Sequence, residues 1–324
     1  MRTFFIILLL ISLLFIGFIY LKSIKSDIQI SDNISQDNNN SSDINISETQ
    51  EPDISTQNKN TANLIFKSSF DEGTSLLTPE RKDSEIWWQD IKSTKDNSKW
   101  PIQKGTGSFQ MIVNKNNIND YIENKIETTI GINKTQTKAL HQIIKKKEHE
   151  WTQVPYLIET NDKEQDQLYI RYSLKLPKNL SEVLGKDGWL VLSEYKTVSD
   201  YRLALYIYAD EKKNLYWYAH GDNVVLDDIP YKEYWYKENK KIPVPVGEWM
   251  DVEIYWKRST GKDGRVWLTI DGKNVIDYHG STKLVDPIRI IMLYTNYASV
   301  PLDQWIDNVE VWDDFPCETG KSCH

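Results

Sequence analysis

The sequence predicts an all-β fold in which two large antiparallel sheets pack face to face, and three observations predict it. From Asn63 onward, short runs of β-branched and aromatic residues recur, each bounded by Gly, Asp, Asn or Pro. About a dozen runs over roughly 250 residues, with no internal repeat, fit a jelly roll better than a propeller or a solenoid. Several runs alternate apolar and polar residues with a period of two, as strands with two different faces require.

The chain has 324 residues and a net charge of −8, and nothing in it suggests a nucleic-acid partner. Its first element is the apolar run from Phe4 to Leu21, long enough to cross a hydrocarbon layer as a slightly short helix. Residues 1–26 therefore read as a membrane anchor. A cleaved signal segment is the rival reading, but no small-x-small site follows the run. Residues 27–62 are rich in Asn, Ser and Asp and read as a disordered tether, because they cannot bury enough apolar surface to offset the entropy of ordering. A β domain spans 63–316 and a tail 317–324. In that tail Cys317 and Cys323 form a small disulfide loop of an oxidising compartment or stay two separate thiols. The arrangement predicts a domain outside the cytoplasm, anchored to the membrane or secreted if the first segment is cleaved.

The strand runs are "GSFQMIV", "TKALHQII", "QLYIRYSLKL", "GWLVLSEYKT", "YRLALYIYA", "NLYWYAH", "WMDVEIYW", "GRVWLTI", "NVIDY", "IRIIMLY" and "WIDNVEVW". One short helix is expected over 178–186, with Gly185 as its stop. Asp271-Gly272 supplies the positive φ of a tight hairpin turn. Alternation then assigns faces. Tyr201, Leu203, Leu205 and Ile207 share one face, and Arg202, Ala204, Tyr206 and Tyr208 the other. Likewise Leu215, Trp217 and Ala219 oppose Tyr216, Tyr218 and His220. The second face of each is aromatic and polar together, unlike an inter-sheet core. In "WLVLSEYKT", Glu194 and Lys196 point the same way and Tyr195 the opposite way. They are either a solvated strand end or part of one groove with Arg202, Tyr206 and His220.

Several stretches resemble the heparin-lyase-I-like family of concanavalin A-type jelly-roll proteins. They include "WWQDIKSTKDNSKWP", "TKALHQIIKKK", "SEYKTVSDYRL", "YWYAHGDN" and "YASVPLDQWIDNVEVWDDFP", and the match covers nearly the whole of 64–316. The resemblance implies a concanavalin A-like jelly-roll β-sandwich and, as an activity, polysaccharide lyase chemistry on an acidic glycan. In related alginate lyases a Gln-Ile-His triplet lies on a central strand. Here the most similar triplet is Glu194-Tyr195-Lys196.

Two functions follow. Elimination next to a uronate needs a cation on the carboxylate, a base for the C5 proton and an acid for the leaving oxygen. Lys196 and Arg202 are the expected neutralisers, His220 and Tyr206 the base and acid, and Glu194 a tuning group; Lys138 and His141 are held in reserve. A non-catalytic carbohydrate-binding module needs only aromatic platforms, which Tyr206, Tyr208, Tyr216, Tyr218 and a loop over 231–241 with Trp235 would supply. No cofactor is required for either. A structural Ca2+ held by Asp71 and Asp307 is a further expectation, because that ion takes carboxylate and carbonyl oxygens.

Overall fold

The computed structural model describes residues 62–71, 73–81, 84, 86–93, 108–113, 115–146, 153–159, 165–197, 201–223, 231–282, 288–296 and 302–316. The anchor, residues 27–61 of the tether, and the two cysteines lie outside them. Among the described residues no helix is long and apolar enough to cross a membrane.

In chain order the strands are β1 (Leu64–Ser68), β2 (Thr74–Leu76), β3 (Glu80–Arg81), β4 (Ile86–Ser93), β5 (Ser108–Ile112), β6 (Ile122–Ile130), β7 (Gln136–Ile144), β8 (Gln153–Glu159) and β9 (Gln167–Lys175). A helix α1 (Leu180–Leu184) precedes β10 (Trp189–Thr197), β11 (Arg202–Ala209), β12 (Leu215–Asp222), β13 (Glu233–Asn239) and β14 (Trp249–Lys257). The chain ends with β15 (Arg265–Ile270), β16 (Lys273–His279), β17 (Ile288–Asn296) and β18 (Leu302–Trp312). One sheet has eight strands in the order β16-β15-β14-β9-β18-β7-β6, with β1 added to β18; the other has ten, in the order β13-β12-β11-β10-β17-β8-β5-β4-β2, with β3 added to β4. This is an all-β sandwich of two antiparallel sheets.

Alternation explains where the core lies. From β9, Leu168, Ile170, Tyr172 and Leu174 enter the space between the sheets and meet Leu203, Leu205 and Ile207 of β11 and Trp217 and Ala219 of β12. Burying each large apolar side chain contributes about 1.5–3 kcal/mol. Helix α1 falls inside the expected span, and Gly185 caps it with φ of +69°. At the β15–β16 turn Asp271 and Gly272 have φ of +50° and +70°, as a tight hairpin needs. The 231–241 stretch departs from expectation. Its charged and aromatic residues read as a loop, yet most of it is edge strand β13, where Trp235 is buried while Glu233, Tyr236, Lys237 and Glu238 remain exposed.

Candidate functional site

Residues Leu190, Leu192, Glu194 and Lys196 have the same parity, so a regular strand that buries the two leucines would drive the two charges into the core. The structure avoids this with a β-bulge. The pairing of β10 with β11 runs Val191↔Tyr206 and then Ser193↔Leu205, which leaves Leu192 as the extra residue. Leu190 and Leu192 stay in the core, and after the bulge Tyr195 takes the inward direction. Glu194 and Lys196 therefore turn to the outer face, because one inserted residue reverses every later side chain.

On that face the ladder register sets Lys196 beside Arg202 and Arg202 beside Asp222, while Ala204 lies between Glu194 and His220. Alanine leaves space between those two groups. The charges form one chain of contacts. Lys196 Nζ is 3.2 Å from Glu194 Oε2, and Arg202 Nη1 is 2.9 Å from Glu194 Oε1. Arg202 also grips Asp222 with Nε and Nη2, a bidentate pairing that matches the planar fork to the carboxylate. Glu194, Lys196, Arg202 and Asp222 are all at most 5 % exposed. Burial alone would depress the Arg202 pKa, but the carboxylates of Asp222 and Glu194 outweigh it and hold it well above its ordinary value.

His220 adjoins this cluster. Its Nδ1 lies 3.1 Å from Glu233 Oε2, and its Nε2 lies 3.6 Å from Asp222 Oδ2 without a hydrogen bond. The bond from His220 leads the causes that hold the Glu233 carboxyl below the usual range, and the Tyr218 hydroxyl donates to the same oxygen. Tyr206 stands edge-on to His220 with ring centroids 5.2 Å apart, and burial pushes its phenol well above the ordinary value, so it keeps its proton. An aromatic ladder continues from there. Tyr206, Tyr208, Tyr216 and Tyr218 touch one another, Trp189 packs edge-on against Tyr206, and Tyr218 stacks on Tyr236. Burial loosens along the ladder, from 3 % exposure at Tyr206 to 55 % at Tyr236.

Gly221 makes this arrangement possible. His220 and Asp222 both point outward, so the residue between them points inward, where the Trp235 Nε1 donates to the Tyr201 hydroxyl. A Cβ on Gly221 would overlap both of those atoms.

The structure thus brings Glu194, Lys196, Arg202, Tyr206 and His220 together, with Tyr208, Tyr216 and Tyr218 beside them. It places others elsewhere. Trp235, expected as a stacking platform, faces the core at 7 % exposure and stacks on Tyr278. Its neighbour Tyr236 has the outward direction instead. Lys138 and His141 are on β7 of the other sheet, so neither joins this face. His141 sits between Glu127 and Asp303 and stacks on Trp305. Arg202, expected to neutralise a substrate carboxylate, already spends three donor nitrogens on Asp222 and Glu194. Asp222 and Glu233 were missed because polar residues at strand ends read as turn residues. The "HGD" word held the signal, a glycine fixed between two outward groups.

Asp307 is buried and accepts from Thr137 Oγ1 and the Asn308 N–H. Burial pushes its carboxyl up to about 7, and the nearby charge of exposed Asp71 adds to the rise. Among the described residues no group of three or more His, Cys, Asp or Glu side chains gathers as a metal site.

No family model and no curated protein matches this chain. Among solved structures, it is similar to an endo-β-1,4-glucuronan lyase from the fungus Trichoderma reesei, with 11% identity and a TM-score of 0.43, over 59% of this chain and 90% of that one. The alginate lyase vAL-1 from a Chlorella virus gives 9% and 0.40 over 59% and 88%. A marine PL-14 alginate lyase from Aplysia kurodai gives 12% and 0.39 over 57% and 86%. The similarity is distant, and no residue role is carried across it.

Proposed function

We propose that the outer face of the ten-stranded sheet binds an acidic polysaccharide and cleaves it by β-elimination next to a uronate. The observation that carries this reading is the contact of His220 with Tyr206 at the head of the tyrosine ladder. With Nδ1 bonded to Glu233, the His220 ring keeps its lone pair at Nε2, where it takes the C5 proton. Tyr206 gives its proton to the leaving glycosidic oxygen as the C4–O bond breaks and the C4–C5 double bond forms. Lys196 meets the uronate carboxylate, since an ammonium has three donors and Glu194 is its ion-pair partner. Arg202 holds Glu194 and Asp222 in place. Tyr208, Tyr216, Tyr218 and Tyr236 supply ring faces for neighbouring sugar units.

A second reading rests on a specific observation: Glu194 and Asp222 already compensate Lys196 and Arg202. A face without surplus positive charge suits a non-catalytic module for a less charged glycan. Incubation of the full chain with a panel of polyuronides and glycosaminoglycans separates the two. Growth of ultraviolet absorbance from a new unsaturated uronate supports the lyase; binding without such growth supports the module.

A structural Ca2+ at Asp71 and Asp307 belongs to the same proposal, supported by the burial of the Asp307 carboxyl and the charge of Asp71 acting on it. Two carboxylates leave most of the six to eight oxygen ligands to other groups. A rise in unfolding temperature on adding Ca2+, lost on chelation, tests it. We also place the domain outside the cytoplasm, on the strength of the apolar run and the tether composition. An impermeant amine label on intact cells tests that, with the domain lysines labelled before lysis as the expected result.

A further inference from the structure

The eight-stranded sheet has its own outer face, and a cavity of about 220 Å3 opens on it. Arg171 and Ser173 of β9, Asp251 of β14, and Asn308 and Glu310 of β18 line it, with Ile132 and Asn133 of the β6–β7 turn as its wall. Drug-sized ligands occupy roughly 300–1,000 Å3, so this space suits a single ring.

Two features show that the cavity is built into the backbone. The pairing of β18 with β9 shifts between Asp307 and Glu310, a second bulge, and Asn308 there has φ of +52°. Asparagine tolerates that left-handed geometry, and the bulge turns its amide toward Ser173, with Nδ2 3.4 Å from Oγ. The wall is also fixed. Gly131 N donates to Thr135 O at 2.9 Å, Lys134 N donates to Gly131 O at 3.0 Å, and Trp249 Nε1 donates to Ile130 O at 2.6 Å, which ties the turn to β14.

The lining has the chemistry of a polyol site. Asp251 takes the Ser173 hydroxyl on one oxygen and Arg171 on the other, at 3.2 and 3.3 Å. Planar carboxylate, guanidinium and amide groups set side by side can each engage two adjacent hydroxyls of a sugar, and Ile132 offers an apolar contact for its C–H face. The carboxylates of Asp251 and Glu310 are already matched by Arg171 and by Lys67, whose Nζ lies 2.7 Å from Glu310 Oε1, so the lining offers an acidic ring no surplus cation. We infer that this cavity is a second carbohydrate site, on the sheet opposite the proposed catalytic face, and that it takes one neutral pyranose unit. It does not depend on the lyase reading.

The test is saturation-transfer NMR on the full chain with the methyl glycosides of glucose, galactose and mannose, and with glucuronate and galacturonate. The expected result is transfer to at least one neutral glycoside and not to the uronates. Asn133→Ala and Asp251→Asn should each cut that transfer at least roughly fivefold. Asn133 is exposed in a turn, so its variant keeps the fold even if Asp251→Asn does not. Absence of transfer to every neutral glycoside, equal transfer to the uronates, or undiminished transfer in folded Asn133→Ala would overturn the inference. None of these outcomes depends on polyuronide cleavage.

Discussion

His220 Nδ1 lies 3.1 Å from Glu233 Oε2, on a residue that is exposed at the edge of the ten-stranded sheet. That contact orients the ring and selects its tautomer, because Nδ1 is within hydrogen-bond distance of Glu233 while Nε2 lies 3.6 Å from Asp222. Glu233→Ala should therefore lower kcat at least roughly tenfold, a part of the ~10²–10⁴ that a positioned base supplies, with little change in KM. Glu233→Gln should recover part of the loss, since its amide oxygen still accepts. The ring-nitrogen chemical shifts of His220 check the cause: mixed tautomers in Glu233→Ala and a single one in the wild type are expected.

Arg202 serves stability first. Arg202→Met leaves Glu194 and Asp222 buried without their shared cation, which should cost about 3–5 kcal/mol. Urea unfolding measures it. Adding Asp222→Asn to that variant should restore much of the loss, because Glu194 keeps Lys196 as its partner and the uncompensated charge at Asp222 is then gone; a double variant no more stable than the single one contradicts this account.

Gly221→Ala should destabilise by roughly 1–3 kcal/mol, since the new methyl must displace the Trp235–Tyr201 pair. Trp235→Ala should cost about 3–5 kcal/mol through the cavity it leaves. Glycan affinity at 10 °C below each variant's own midpoint should match the wild type, because Trp235 faces the core; a large loss in Trp235→Ala would restore it as a sugar platform.

These residues also show how far the sequence could be read. Alternation placed Leu203, Leu205 and Ile207 inside and Ala204, Tyr206 and Tyr208 outside, because β11 is regular and its two faces differ in chemistry. It could not place Glu194 and Lys196, since the parity of "WLVLSEYKT" is broken at Leu192 and a bulge is decided by the partner strand. Trp235 misled for a different reason. Charged neighbours on both sides suggested a loop, and the alternation that buries it appears only once β13 is known to pair with β12. The pairing of β7 with β6 and β18 likewise decided Lys138 and His141, which no local pattern assigns to one sheet or the other.

Asp307 makes stability depend on pH. Its folded pKa of about 7 lies above the ordinary 3.8, so the native state binds more protons than the unfolded chain between those values. Its effect is therefore a loss of stability as pH rises through that window. Asp307→Asn should be more stable than the wild type at about pH 8, by an amount on the order of 1–3 kcal/mol, and the gap should close near pH 4. Urea midpoints of both proteins at the two pH values, measured with Ca2+ chelated, check this; a gap of equal size at both would assign the effect to packing instead.

The most direct test of the account is the turnover of wild type, His220→Ala and Tyr206→Phe on whichever polyuronide releases an unsaturated product. If His220 takes the C5 proton and Tyr206 protonates the leaving oxygen, each substitution should lower kcat by roughly 10²-fold or more while KM stays within a few-fold. Wild-type kcat in both folded variants would contradict the account and move the chemistry away from this face.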